Sequence, residues 1–192
     1  MSLTPKPGDP TWVDLYTTDL DRAIAFYGEL FGWTADRGGE EFGGYTTLRK
    51  DGRAVAGAMG RHDDPGDPYP DRWTVYLNSP DALATTAKTS AAGGNVIVEP
   101  MAVADTADFR YTTIHAVPPM GGGVLDAGGH LAEGIPGSWT VYFGVDDVDK
   151  AAERAVALGG TVAFEPMNTP YGRLAGLIDP TGAHFSIGGN AR

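Results

Sequence analysis

The chain has 192 residues, 25 Asp and Glu against 14 Lys and Arg for a net charge of −11, no Cys, 28 Gly and 14 Pro. The lack of Cys excludes disulfides and thiolate chemistry, no run approaches the roughly 18 apolar residues of a membrane span, and no Lys/Arg cluster offers a nucleic-acid footprint. The start, Met-Ser-Leu-Thr-Pro-Lys-Pro-Gly-Asp-Pro, lacks the apolar stretch of a signal peptide, so the expectation is a cytoplasmic protein with neither a nucleic-acid nor a membrane partner.

In chain order, Trp12 to Tyr16 is β-branched and aromatic and reads as a strand. Leu20 to Phe31 reads as a helix: Leu20, Ala23, Ile24, Tyr27, Leu30 and Phe31 form one apolar stripe, and Gly32 ends it. Strands are predicted at 34–37, 44–50 and 53–59. A further strand, Trp73–Leu77, precedes a helix that starts after Ser79-Pro80, a good N-cap and N1 pair, and ends at Gly93. Strands near 95–99, 109–115 and 123–127 follow. Trp139–Val145 is the next strand. Asp146 or Asp147 caps a helix running to Leu158, with Val148, Ala151, Ala152, Ala155 and Val156 at helical spacing and Gly159 behind it. Strands at 161–164, 173–178 and 183–187 close the chain, the last two joined by the turn Asp179-Pro180-Thr181-Gly182.

This is one βαβββ pattern written three times, and the residues repeat with it. Trp73-Thr74-Val75-Tyr76 returns as Trp139-Thr140-Val141-Tyr142, Gly93-Gly94 as Gly159-Gly160, and Glu99-Pro100-Met101 as Glu165-Pro166-Met167, always 66 residues on. Tyr45-Thr46-Thr47-Leu48 returns at the same offset as Tyr111-Thr112-Thr113-Ile114. The units are 1–60, 73–127 and 139–189, joined by Gly- and Pro-bearing linkers. Such a unit cannot bury its sheet alone, so units should pair into a curved mixed sheet with helices outside, an α+β fold. In the last unit Trp139, Val141, Phe143 and Val145 should lie under the helices, while Thr140, Tyr142 and Gly144 line the inner face. His184 and Ser186 share one face of the last strand, and Phe185 and Ile187 take the other.

The combination of Thr18-Asp19-Leu20-Asp21, Ala25-Phe26-Tyr27, Leu30-Phe31-Gly32-Trp33, Val145-Asp146-Asp147-Val148-Asp149, Ala157-Leu158-Gly159-Gly160, Pro170-Tyr171-Gly172-Arg173 and Asp179-Pro180-Thr181-Gly182 resembles the vicinal oxygen chelate superfamily of glyoxalases, bleomycin-resistance proteins and extradiol dioxygenases. The resemblance covers nearly the whole chain and is closest to the subgroup of tandem glyoxalase-like domains. That subgroup implies four units, and this chain has three. The middle one reads as a hybrid, with the head of a second unit and the tail of a third. The resemblance also implies metal ligands early in each first strand and a Glu in each last strand. The matching positions are Trp12, Thr74 and Thr140, then Ala56, Gly122 and Ser186, none a usual ligand of a catalytic divalent metal.

The leading expectation is therefore a small-molecule binder without a catalytic metal or other cofactor, its ligand held by Trp12, Asp14, Thr74, Tyr76, Thr140, Tyr142, His184 and Ser186, and its odd unit completed in a homodimer. Trp12, Tyr76 and Tyr142 offer aromatic faces for stacking. Asp14 is a general base, an anchor for a cation, a partner of Arg173, or a solvated strand end. Trp73 and Trp139 read as core. The alternative is a glyoxalase-like lyase or dioxygenase whose Zn, Ni, Fe or Mn site has moved to His184, His115 and a Glu, Glu99 or Glu165. A third reading is a degenerate, non-catalytic copy. His62 and His130 fall in polar loops.

Overall fold

A computed structural model describes residues 6–39, 43–61, 69–97, 99–100 and 137–190. The chain divides into two compact units, Met1–Thr11 with Tyr76–Val124, and Trp12–Val75 with Leu125–Arg192. Its elements are β1 (Pro10–Thr17), α1 (Leu20–Phe31), β2 (Thr34–Arg37), β3 (Thr46–Lys50), β4 (Arg53–Gly60), β5 (Arg72–Leu77), α2 (Ala82–Ala91), β6 (Tyr142–Gly144), α3 (Val148–Ala157), β7 (Thr161–Thr169), β8 (Gly172–Ile178) and β9 (His184–Gly189).

The repeat reappears as topology. One sheet runs β2-β3-β4-β1-β5 and the other β6-β9-β8-β7, so in both the first strand of a unit lies beside its fourth, then come the third and second. The first–fourth pairs are parallel, Asp14 opposite Gly57 and Tyr142 opposite Ser186. A parallel pair needs a long crossover, and α1 or α3 lies within each one.

Helix α1 starts where Asp19 accepts a bond from the Arg22 N–H and stops at Gly32, whose φ of 69° is left-handed and whose N–H returns to the Gly28 carbonyl. Asp147, the second of the two candidate caps, starts α3. In the larger unit the two helices bury Ala23, Phe26 and Tyr27 of α1 and Val148, Ala152 and Ala155 of α3, against Val13 and Leu15 of β1 and Phe185 and Ile187 of β9. Tyr27 stands at the centre. Its ring lies edge-on to Phe26, Trp73 and Phe185 and stacks on Phe31 and Trp33. Its hydroxyl donates to Asp179 Oδ2 at 2.9 Å and accepts from Trp73 Nε1 at 2.9 Å. Asp179 in turn accepts through Oδ1 from the N–H groups of Thr181, Gly182 and Ala183 and from the Thr181 hydroxyl. The predicted Asp-Pro-Thr-Gly turn is thus a buried acceptor clamp.

Several expectations change. The strand expected over Trp139–Val145 is only Tyr142–Gly144, and Trp139 is 55% exposed rather than core. Its repeat twin Trp73 fills the slot against Tyr27, and two identical segments cannot share one slot. Among the described residues β5 lies beside β1 in one sheet and β6 beside β9 in the other. No strand forms at 95–97 or 99. Ser79 does not cap α2; Asp81 does, accepting from the Ala84 N–H, and Ser79 is held to Thr85. The predicted strands at 109–115 and 123–127 lie outside the described residues. In the smaller unit, α2 buries none of its residues. Backbone bonds join Gly8 and Asp9 to Asn78, and the Thr11 hydroxyl reaches the Tyr76 carbonyl.

Candidate functional site

Alternation along β1 turns Val13 and Leu15 into the core and Trp12 and Asp14 onto the opposite, inner face. There the side chains close on one another. Trp12 Nε1 donates to Asp14 Oδ1 at 2.7 Å and to the Tyr45 hydroxyl at 2.9 Å, and that hydroxyl donates to the same Asp14 oxygen at 2.8 Å. Asp14 is 4% exposed and Trp12 9%. Asp14 is therefore not a solvated strand end. Nor is it the partner of Arg173. Arg173 holds Asp149 with two bonds, at 2.7 and 2.6 Å, and that hydrogen-bonded carboxylate raises its pKa.

The triad needs the glycine beneath it. Gly57 is the register partner of Asp14. A Cβ there would come within 1.8 Å of the Tyr45 oxygen and 2.2 Å of Asp14 Oδ1. Tyr45 was not among the expected site residues. Its signal was the Tyr-Thr-Thr segment repeated at 111, and its Thr47 neighbour faces Gly57 across β3 and β4, which puts Tyr45 on the inner face too. The arrangement fixes a carboxylate by two donors in a setting of low dielectric, with an indole and a phenol beside it. Such a group can accept from a ligand N–H, O–H or ammonium while the rings pack on an apolar body.

The remaining expected residues divide. Thr74 lies half-buried on β5, and Tyr76 further along that strand falls in the smaller unit. On the second sheet Tyr142 and Ser186 are register partners on the inner face, Tyr142 55% exposed and Ser186 buried. Thr140 precedes β6, exposed, and His184 is an exposed residue at the start of β9.

The residues at the metal positions do not fit a divalent ion. Trp12 presents an indole donor already used on Asp14, Thr74, Thr140 and Ser186 offer only hydroxyls, and such an ion asks for imidazole or carboxylate. Ala56 does not face the site: it is fully buried on the core side opposite Leu48. The inner-face position that matches Ser186 is Gly57, which has no donor either. Gly122 and His115 lie outside the described residues, as do His62 and His130. Among the described residues no three His, Asp or Glu side chains converge.

The model of the Glyoxalase/Bleomycin resistance protein/Dioxygenase superfamily matches residues 10–133 and again 108–187. The anthracycline biosynthesis protein DnrV of Streptomyces peucetius is 34% identical over 259 aligned residues, covering 94% of this chain and 93% of that protein. The putative glyoxylase CFP32 of Mycobacterium bovis is 29% identical, covering 95% of each. Among solved structures, the antibiotic-binding protein TnmS3 of Streptomyces sp. CB03234 is similar at a TM-score of 0.49, with 16% identity over 100% of this chain and 99% of that one. An alignment of 259 positions that covers 94% of a 192-residue chain, about 180 residues, leaves about 79 facing gaps here, somewhat more than one 66-residue repeat. No described helix is long and apolar enough to cross a membrane.

Proposed function

We propose that this chain, which belongs to the Glyoxalase/Bleomycin resistance protein/Dioxygenase superfamily, binds a small organic molecule without a catalytic metal, through the inner face that carries Trp12, Asp14 and Tyr45. The observation that carries this reading is the buried Asp14 carboxylate, oriented by two donors on one oxygen and set between two aromatic side chains. Thr74, Tyr76, Thr140, Tyr142, His184 and Ser186 belong to the same proposal as further lining residues of the inner faces. The relative named for anthracycline biosynthesis supports a planar polyketide bearing a basic amine as the ligand class, because a ring system suits the indole and phenol and an ammonium suits Asp14. The deficit of about one repeat against that relative supports a chain descended from four units.

The test is calorimetric titration with an anthracycline on chelator-treated protein. Binding at micromolar Kd or tighter, weakened at least tenfold in Asp14→Asn and unchanged by added Zn, Ni, Fe or Mn, is the expected result. Binding that appears only with one of these metals, or that ignores the Asp14 change, would replace this reading with the metal-dependent lyase or dioxygenase.

A further inference from the structure

The geometry points to Arg72 as a second recognition pole on the inner face of the first sheet, a guanidinium that takes a carboxylate of the ligand while Asp14 takes its amine. This deepens the reading above and rests on it for where the ligand lies. It narrows the ligand class to a planar aromatic body with a basic group and an acidic group on opposite sides.

Strand alternation places the residue. Trp73 is buried against Tyr27 in the core, so its neighbour Arg72 turns to the opposite, inner face of β5. The same alternation on β1 puts Tyr16 with Trp12 and Asp14, opposite Val13 and Leu15. β1 and β5 are adjacent strands, and their inner-face residues meet. The guanidinium carbon of Arg72 stands 5.2 Å from the centre of the Tyr16 ring and 5.1 Å from that of Tyr69. Its Nη1 donates to the Pro70 carbonyl at 3.3 Å.

The backbone beneath Arg72 is anchored as well. Asp71 is 7% exposed. Its Oδ2 accepts from the Thr17 hydroxyl at 3.0 Å, the Thr18 N–H at 2.8 Å and the Thr18 hydroxyl at 2.9 Å. Arg61, which follows β4, brings Nη1 to 4.0 Å from its Oδ1. This carboxylate therefore ties the end of β1 and the end of β4 to the start of β5. A cation held in place before the ligand arrives loses little freedom on binding it.

The chemistry follows from the shape of a guanidinium. Its faces take aromatic rings, and its donors lie in its own plane as a rigid fork that matches the two oxygens of a carboxylate. Tyr16 and Tyr69 hold the faces of Arg72, so a carboxylate meets its edge. Tyr16 is two residues along β1 from Asp14, about 7 Å at the rise of a strand, and one fused ring system reaches both charges. The chain carries a net charge of −11, a field that repels anions. An acidic ligand group needs a local cation against that field, and Arg72 supplies it on the wall where Asp14 lies.

The experiment is calorimetric titration of the full-length protein at pH 8 with anthraquinone-2-carboxylate and with its uncharged amide, two probes that differ only in the acid group. The carboxylate should bind at least about tenfold more tightly than the amide. Arg72→Met keeps an unbranched apolar stem against both rings and should abolish that preference with the fold retained. Arg72→Lys keeps the charge without the fork and should bind the carboxylate about threefold more weakly than wild type. Asp14→Asn should leave the preference in place, because neither probe carries a basic amine. Equal binding of the two probes by wild type overturns the proposal. So does a carboxylate that fails to bind at about 1 mM, a preference that survives Arg72→Met, or full wild-type affinity in Arg72→Lys. A preference lost in Arg72→Met beside anthracycline binding that ignores Asp14→Asn supports the Arg72 pole and overturns the Asp14 reading alone.

Discussion

At the scale of single residues, the site depends on an absence as much as on side chains. Gly57 leaves the space in which the Tyr45 hydroxyl and Asp14 Oδ1 meet, so Gly57→Ala forces both away from contact. The expected outcome is a loss of ligand affinity of at least tenfold, about 1.4 kcal/mol, with the fold retained, because the atoms that must shift are the ends of the Tyr45 and Asp14 side chains and not backbone. Titration of this variant beside Asp14→Asn checks it. Equal affinity in wild type and Gly57→Ala would mean that the triad does not touch ligand. The sequence made Trp12 and Asp14 readable, since period-2 alternation places both opposite Val13 and Leu15. It did not make Tyr45 readable. Its partner lies 31 residues away, and only the register between β3 and β4 brings it over Gly57. The same register corrected Ala56, where a one-residue offset moves a side chain to the other face of the sheet.

At the scale of elements, local signals were enough where sequence and packing agree. The predicted α1, Leu20 to Phe31, matches the observed helix end for end, because an aspartate cap, an apolar stripe and a left-handed glycine all mark the same segment. α2 has cap and ending too, yet no residue of it is buried and Leu83 is 70% exposed. A ten-residue helix without a packed face is marginal in water. Amide exchange should therefore be at least a hundredfold faster in α2 than in α1 and α3 under identical conditions. Comparable protection in all three would show that α2 has found a face to pack on. The β6 segment differs from its twin for a different reason: Trp73-Thr74-Val75-Tyr76 and Trp139-Thr140-Val141-Tyr142 are the same string, and what separates a buried Trp73, bonded to Tyr27, from an exposed Trp139 is tertiary surroundings that a local string does not carry.

At the scale of the molecule, Tyr27 ties the larger unit together, because its hydroxyl joins α1 to Trp73 on β5 and to the Asp179 turn between β8 and β9. Burial first, and the Asp179 charge second, push its pKa well above the ordinary 10.0. Since the native phenol holds its proton more tightly than the unfolded one, its contribution to stability is complete below pH 10 and declines as pH rises, by up to about 1.4 kcal/mol per pH unit until the native group also ionises. Tyr27→Phe leaves Trp73 Nε1 without its acceptor and Asp179 without one donor. The expected loss at pH 8 is about 3 kcal/mol. The variant has no phenol to titrate at this site, so the stability gap between wild type and Tyr27→Phe should narrow from pH 8 to pH 11 by about 1 kcal/mol. Urea unfolding of both proteins at the two pH values measures it. A gap of constant size would mean that the phenol at position 27 ionises equally in the native and unfolded states, and that the hydroxyl is solvated and not clamped.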